Sequence, residues 1–282
     1  TLMIEAHEIQ FGTEADVEGL SCPDSLSQWI DRLPSDLIQI VNQLADSGFG
    51  SWVVGGCVRD ALLGVPIGDI DLCSTCPPET VMEIFGTDAI PTGIEFGTVT
   101  LKGKNQHYEL TTLRTEGIYR DGRRPEQVQW GTSLLEDLSR RDFTINSMAI
   151  DSGGRLLDPY NGLNDLKLGV LKSVGVAEER FEEDGLRVLR AFRFLDAGKM
   201  GIREMDDSLR SGILSSEEFL QGISRERVGM EMTKILTGEN VHSIIYQMLS
   251  LGVLDRVFEL SLIHISEPTR RYAISYAVFC LK

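Results

Sequence analysis

One stretch constrains this chain more than any other: Val54-Gly55-Gly56-Cys57-Val58-Arg59-Asp60-Ala61-Leu62-Leu63-Gly64, then four residues, then Asp69-Ile70-Asp71-Leu72. Ser51 to Val54 reads as a buried strand broken by two glycines, Val58 to Leu63 as a short helix stopped by Gly64, and Asp69 to Leu72 as a second strand. Residues i and i+2 of a strand face the same side, so the Asp69 and Asp71 carboxylates project together. Two such charges repel unless a cation sits between them, and hard oxygen ligands suit Mg²⁺. A Gly-Gly turn ahead of a helix lets backbone N–H groups approach a phosphate closely. Taken singly, each feature also fits a solvated strand end or an ordinary tight turn.

The flanking sequence extends this unit into a mixed α/β part followed by an all-helical part. Leu37, Ile40, Val41 and Leu44 share one helical face between Pro34-Ser35 and Gly48. Pro77-Pro78 opens a helix that runs through Phe85, and Gly97 to Leu101 and His107 to Leu113 read as strands of one sheet. From Asp165 the pattern is helical, with few strand signals. The expected division is an acidic, mobile N-terminal arm over 1–27, an α/β domain over 28–164 and a helical domain over 165–259.

Composition narrows the function classes. Forty-three acidic against 27 basic residues give a net charge of −16, the wrong sign for a protein whose whole surface grips nucleic acid. Half of that excess lies in residues 1–58, where Arg32 is the only cation. No apolar run approaches the roughly 20 residues that span a bilayer, so no membrane association is expected. The chain opens on Thr1 with no signal-peptide pattern, and its five Cys form no even framework, so a reducing, cytoplasmic setting is expected. Cys73 and Cys76 have metal-ligand spacing, but no second pair follows to complete a zinc site. The four His are scattered and form no triad with a Ser or Cys nucleophile.

The Gly-Gly to Asp-x-Asp run resembles the signature of the class II tRNA nucleotidyltransferases, the CCA-adding enzymes, a family that also contains bacterial poly(A) polymerases. Four more segments follow in that family's order. Arg140-Arg141-Asp142-Phe143-Thr144-Ile145-Asn146-Ser147-Met148-Ala149 resembles its second motif, and Asp158, Gly162 and Asp165-Leu166 its third. Glu183-Asp184-Gly185-Leu186-Arg187, running on to Phe194, resembles the fourth, and Arg225-Glu226-Arg227 with Glu231 the fifth. The resemblance spans roughly Pro34 to Phe258 and implies a polymerase-β-like nucleotidyltransferase head with a mixed sheet and an all-α neck, without the family's C-terminal body and tail.

The implied reaction is the template-independent transfer of CMP and AMP from CTP and ATP to the 3′ end of tRNA, with Mg²⁺ ions on Asp69 and Asp71. Glu109 is the candidate third catalytic carboxylate, with a plain exposed strand Glu as the alternative. Asp184 and Arg187, three apart, share a helical face and can present an acceptor and a donor to the base, assisted by Arg190. The alternative is a surface ion pair between Asp184 and Arg187. By resemblance, Arg141, Asp142 and Asn146 contact triphosphate and ribose, alongside Gly55 and Gly56. Arg59 and Asp60 either bind phosphate or brace the Gly-Gly turn, and Arg227 with Glu231 braces the neck. Thr115 to Pro125 resembles the flexible loop that the family uses to switch from C to A addition.

Two departures from the pattern are mild: Lys172 stands where Arg is frequent, and Gly68 where many members carry a cation. A third is large. Leu260 to Lys282, LSLIHISEPTRRYAISYAVFCLK, resembles translated sequencing-library adaptor, so the native reading is expected to end near Glu259. The other readings that remain open are CC-only, A-only or poly(A) addition, a small-molecule nucleotidyltransferase, or a fragment that binds nucleotide without turnover.

Overall fold

The computed structural model describes residues 16–115, 129–151 and 153–257. Twelve strands lie among them: β1 (Gly19–Leu20), β2 (Ser51–Val54), β3 (Asp71–Ser74), β4 (Ala89–Gly93), β5 (Thr98–Lys102), β6 (His107–Thr112), β7 (Arg114–Thr115), β8 (Gln129–Trp130), β9 (Ala149–Ile150), β10 (Leu156–Leu157), β11 (Val170–Leu171) and β12 (Glu204–Met205). Eight of them form one sheet in the order β1-β10-β9-β2-β3-β6-β5-β4. Every pairing in it is antiparallel except β3 with β6, which makes the sheet mixed. The helices of this part are α1 (Asp24–Ile30), α2 (Ser35–Asp46), α3 (Gly56–Leu63), α4 (Pro78–Phe85), α5 (Leu134–Ser139) and α6 (Gly162–Leu168).

β2, three apolar residues after Ser51, is buried along its whole length because both sheet faces are covered. Val53 and Leu72 point into the large core under α2 and α3, whereas Trp52, Val54 and Cys73 join Leu134 and Leu138 of α5 on the other face. The chain then turns helical through α7 (Ala177–Glu183), α8 (Leu186–Leu195), α9 (Asp207–Ser215), α10 (Glu217–Gln221), α11 (Arg225–Leu236), α12 (Val241–Ser250) and α13 (Val253–Val257). One continuous apolar core runs from the sheet into these helices, through Phe143, Phe181, Val188 and Phe192.

Three local expectations are corrected. The first is the strand carrying Asp69: β3 starts at Asp71, because its partner β2 ends at Val54, opposite Asp71, and Gly55 then turns away at φ 80°. Secondly, the stretch expected to be a mobile arm is docked where it is described. β1 pairs with β10 at the sheet edge, Leu26 is fully buried, and Asp16 accepts from the Leu135 N–H at 3.0 Å. Thirdly, Asp184 is not on the helix of Arg187. It caps the end of α7 in extended conformation (φ −154°), and α8 begins two residues later. Residues 116–125 of the expected flexible loop and 260–282 lie outside the described residues.

The segment resembling the third motif acts as a brace. Asp158 accepts from the Gly162 and Leu163 N–H groups at 2.7 and 2.9 Å, and Asp165 accepts from the Thr144 hydroxyl at 2.7 Å. At the far end, Asp196 accepts from the Asn240 backbone N–H at 2.9 Å, and the Asn240 amide donates to the Gly198 carbonyl at 2.8 Å. That latch holds the turn after α8 against the start of α12.

Gly162 allows the brace to close, because a Cβ there would stand 2.2 Å from the Thr144 carbonyl oxygen. Gly162→Ala is therefore expected to lower unfolding stability by about 2–3 kcal/mol, the usual scale for overpacking against backbone. A urea titration checks this, and an unshifted midpoint would count against the brace.

Candidate active site

The Gly-Gly turn admits an arginine. Gly55 sits at φ 80°, ψ −131°, and a Cβ on it would be 2.8 Å from an Arg141 Nη1, so both conformation and proximity require glycine. Arg141 is held from behind by Asp137, which accepts from its Nη2 at 3.2 Å and also pairs with Arg140. Arg59, one turn into α3, donates to Asp60 at 2.8 Å and to the Asn146 side-chain oxygen. Asp60 is thus the partner that braces Arg59, and both line the same cavity as Gly55 and Gly56.

Opposite this turn stand the carboxylates. The parallel register of β3 and β6 sets Asp71 directly beside Glu109, and Asp69 lines the cavity just before the strand. Burial, then the Glu109 and Asp69 charges, push the Asp71 carboxyl above its ordinary range, while Arg141 opposes the shift. Among the described residues, no three His, Cys, Asp or Glu side chains close into a ready-made metal cage.

The third wall joins the sheet to α8. Asp142 is buried and accepts from Arg190 Nε at 2.7 Å, from the Asn146 amide at 3.0 Å and from the Phe143 N–H at 2.8 Å. Burial alone would raise this carboxyl, but Arg190 and Asn146 outweigh it and hold it below the usual range. Arg187 pairs with Glu183 and donates to the Arg140 carbonyl at 2.8 Å. Asp184 accepts instead from Arg227 at 2.6 Å. The two residues expected to face a base thus have separate partners but line one cavity with Arg190. Of the pair expected to brace the helices, Glu231 does so, accepting from Arg193 and Lys234 at 3.0 and 3.2 Å, whereas Arg227 lines the cavity.

All twelve expected site residues border this single cavity of about 1280 Å³. Its lining holds nine Lys and Arg against seven Asp and Glu, so a strongly acidic chain carries a locally cationic cleft. Sequence reading missed Arg193 and Phe194, which complete the wall. The Phe194 ring lies 4.3, 5.1 and 5.4 Å from the guanidinium carbons of Arg193, Arg59 and Arg190. The spacing Arg187, Arg190, Phe194 is one helical stripe and would have pointed to that ring. Arg203 and Met200 were also missed, and no motif marks them.

An α/β sheet with an Asp-x-Asp pair leading into β3, a Gly-Gly turn and a cationic helical wall define a nucleotidyltransferase head. Residues 51–172 match the Poly A polymerase head domain, and residues 204–261 the probable RNA and SrmB-binding site of polymerase A. The CCA-adding enzyme of Lactobacillus delbrueckii subsp. bulgaricus is 43% identical over 224 residues, covering 79% of this chain and 56% of the relative. The crystal structure of the Bacillus stearothermophilus CCA-adding enzyme in complex with CTP superposes with a TM-score of 0.68 at 36% identity, covering 79% of this chain and 52% of that one. A tRNA nucleotidyltransferase complexed with a primer tRNA and an incoming ATP analog gives 0.64 at 29% identity, covering 81% of this chain and 64% of that one. The chain belongs to the tRNA nucleotidyltransferase and poly(A) polymerase family. It spans about half the length of the curated relatives it matches.

A raised Asp71 pKa makes its charge a cost to the fold. Below the ordinary carboxylate range, near pH 4, the group is protonated whether folded or unfolded and contributes nothing; above it, the folded state carries the penalty. Asp71→Asn is expected to raise the melting temperature at about pH 7.5 by a few degrees, roughly 2–4 °C per kcal/mol relieved, and the gain should shrink toward pH 4. Calorimetry in the presence of a chelator checks both arms, and a gain independent of pH would refute the raised carboxyl.

Proposed function

We propose that this chain is the catalytic head and neck of a cytoplasmic, Mg²⁺-dependent tRNA nucleotidyltransferase that adds CMP and AMP to the tRNA 3′ end. The observation that carries this reading is the convergence of Asp69, Asp71 and Glu109 with Arg141, Asn146, Asp184, Arg187 and Arg190 on one cationic cavity. No helix among the described residues is long and apolar enough to cross a membrane. The four described cysteines are free thiols, which fits the cytoplasmic setting.

The carboxylates fit a divalent cation. Asp71 is destabilised as an anion by burial and then by its acidic neighbours, which a bound cation would offset, and one or two carboxylates plus substrate phosphates are the ligands Mg²⁺ takes. Held by Asp69 and Asp71, Mg²⁺ would acidify the primer hydroxyl and neutralise the departing pyrophosphate. Glu109 beside Asp71 adds negative charge that strengthens that site.

The remaining work falls to the chain's own side chains. Arg141 and the N–H groups at the Gly-Gly turn cradle the triphosphate. Asp142 has its oxygens committed to Arg190, Asn146 and Phe143, so it positions those groups rather than meeting phosphate. Asp184 supplies an acceptor and Arg187 a donor, matching the amino group and ring nitrogen that C and A share. U and G place a carbonyl where that amino group stands and are rejected.

Primer extension on tRNAs ending before CCA, after C and after CC, with each nucleotide in turn, is expected to show ordered addition of C, C and A. Runs of A on every primer would identify a poly(A) polymerase instead. Asp69→Ala should slow transfer by about 10³-fold or more, the scale of several kcal/mol of lost charge stabilisation, without changing the melting curve greatly. Arg187→Ala should narrow the preference for CTP over UTP by roughly ten- to a hundredfold, the worth of one bidentate base contact. Unchanged selectivity would return Arg187 to a purely structural pairing with Glu183.

A further inference from the structure

Arg203 differs from every other cation of the cavity wall. Arg59, Arg140, Arg141, Arg187, Arg190, Arg193, Arg227 and Lys234 each have a carboxylate within ion-pair distance. Among the described residues Arg203 has none. Its Nη1 donates to two backbone carbonyls, of Phe194 at 2.6 Å and Asp196 at 3.3 Å, which aim the guanidinium without neutralising it. Arg203 is 7% exposed, yet it lines the cavity. Burial, then the neighbouring Arg59 charge, lower its pKa to about 10, so it remains a cation at neutral pH. Asp60 and Asp196 lie within electrostatic reach but outside ion-pair distance, so this buried cation is only partly compensated, and an anionic ligand entering the cavity would relieve it.

We propose that Arg203 is a binding residue for a backbone phosphate of the RNA strand whose 3′ end is extended, lying near Arg59 in the cavity wall. This inference rests on the function proposed above. The ligand class follows from the neighbours. Arg203 follows the turn that carries Met200, which is 56% exposed, and it lies within electrostatic reach of Asp60. Leu63, one turn beyond Asp60, and Val65 line the same cavity. A triphosphate has no use for such apolar surface, whereas the sugars and bases of a single strand do, with the phosphate between them taken by the cation. The triphosphate cradle is already supplied at the start of α3, where Arg141 meets the Gly-Gly turn.

The test is equilibrium binding of this chain to a fluorescent single-stranded RNA ending in CC, across a salt series, with CTP binding measured in parallel. Arg203→Gln should weaken RNA binding by roughly tenfold or more and reduce the salt slope by about 0.7, the worth of one phosphate contact on a single strand. CTP affinity should stay within about twofold. Arg203→Lys should restore the salt slope while recovering only part of the affinity, because it keeps the charge and loses the fork. A purely structural arginine would not move the slope this way, and the lysine variant separates charge from folding. Unchanged RNA binding in Arg203→Gln overturns the inference alone, provided the unaltered chain binds both ligands. An equal loss of CTP affinity overturns it by moving Arg203 to the triphosphate. Failure of the unaltered chain to bind RNA overturns it too, and failure to bind CTP as well takes the proposed function with it.

Discussion

The contact on which the rest depends is the buried pairing of Asp142 with Arg190. Asp142 belongs to the α/β part and Arg190 to α8, so this one carboxylate joins the sheet to the helical wall. Its other oxygen orders Asn146, which in turn holds Arg59 at the mouth of the Gly-Gly turn. Without Arg190 the buried Asp142 charge would be stranded in a poorly solvated place, which is why breaking such a pair costs far more than the pair contributes. Arg187 adds a second tie through the Arg140 carbonyl. The cavity is thus a seam between two structural parts, and its shape is set by how those parts are fastened.

That seam explains an apparent conflict in the charges. A net charge of −16 would repel nucleotide and RNA from most of the surface. The cations are gathered inward, and most are clamped by carboxylates that fix their direction. Such pairs contribute modestly to stability, but each arginine still offers unused N–H groups to a ligand. Phe194 keeps three of these guanidiniums around one ring.

What was legible in the sequence is what local rules govern. The amphipathic α2, the apolar β2, the proline-opened α4 and the β5–β6 pair followed from periodicity and Gly or Pro punctuation. Glu109 was legible as a strand residue, and its seat beside Asp71 needed the parallel register of β3 with β6. Other features depend on distant partners. Asp184 is separated from Arg227 by 43 residues, and no spacing rule links them. The start of β3 depends on where β2 ends, and the docking of residues 16–30 on which sheet edge lies open. Arg203 has no motif around it and acquires meaning only in three dimensions, where no described carboxylate comes within ion-pair distance of it.

The Asp196–Asn240 latch gives the cavity a mechanical property. The turn that carries Met200 and leads to Arg203 is tied to the start of α12 rather than left to its own neighbours. Gly238 lies so close to Asp196 that a side chain there would meet it at 2.3 Å, which keeps the joint short and stiff. Short, well-aligned hydrogen bonds of this kind transmit displacement instead of absorbing it. The part of the cleft wall at Met200 is therefore placed by α12 as well as by α8, so the cavity's shape is set by a helix that contributes no residue to its lining.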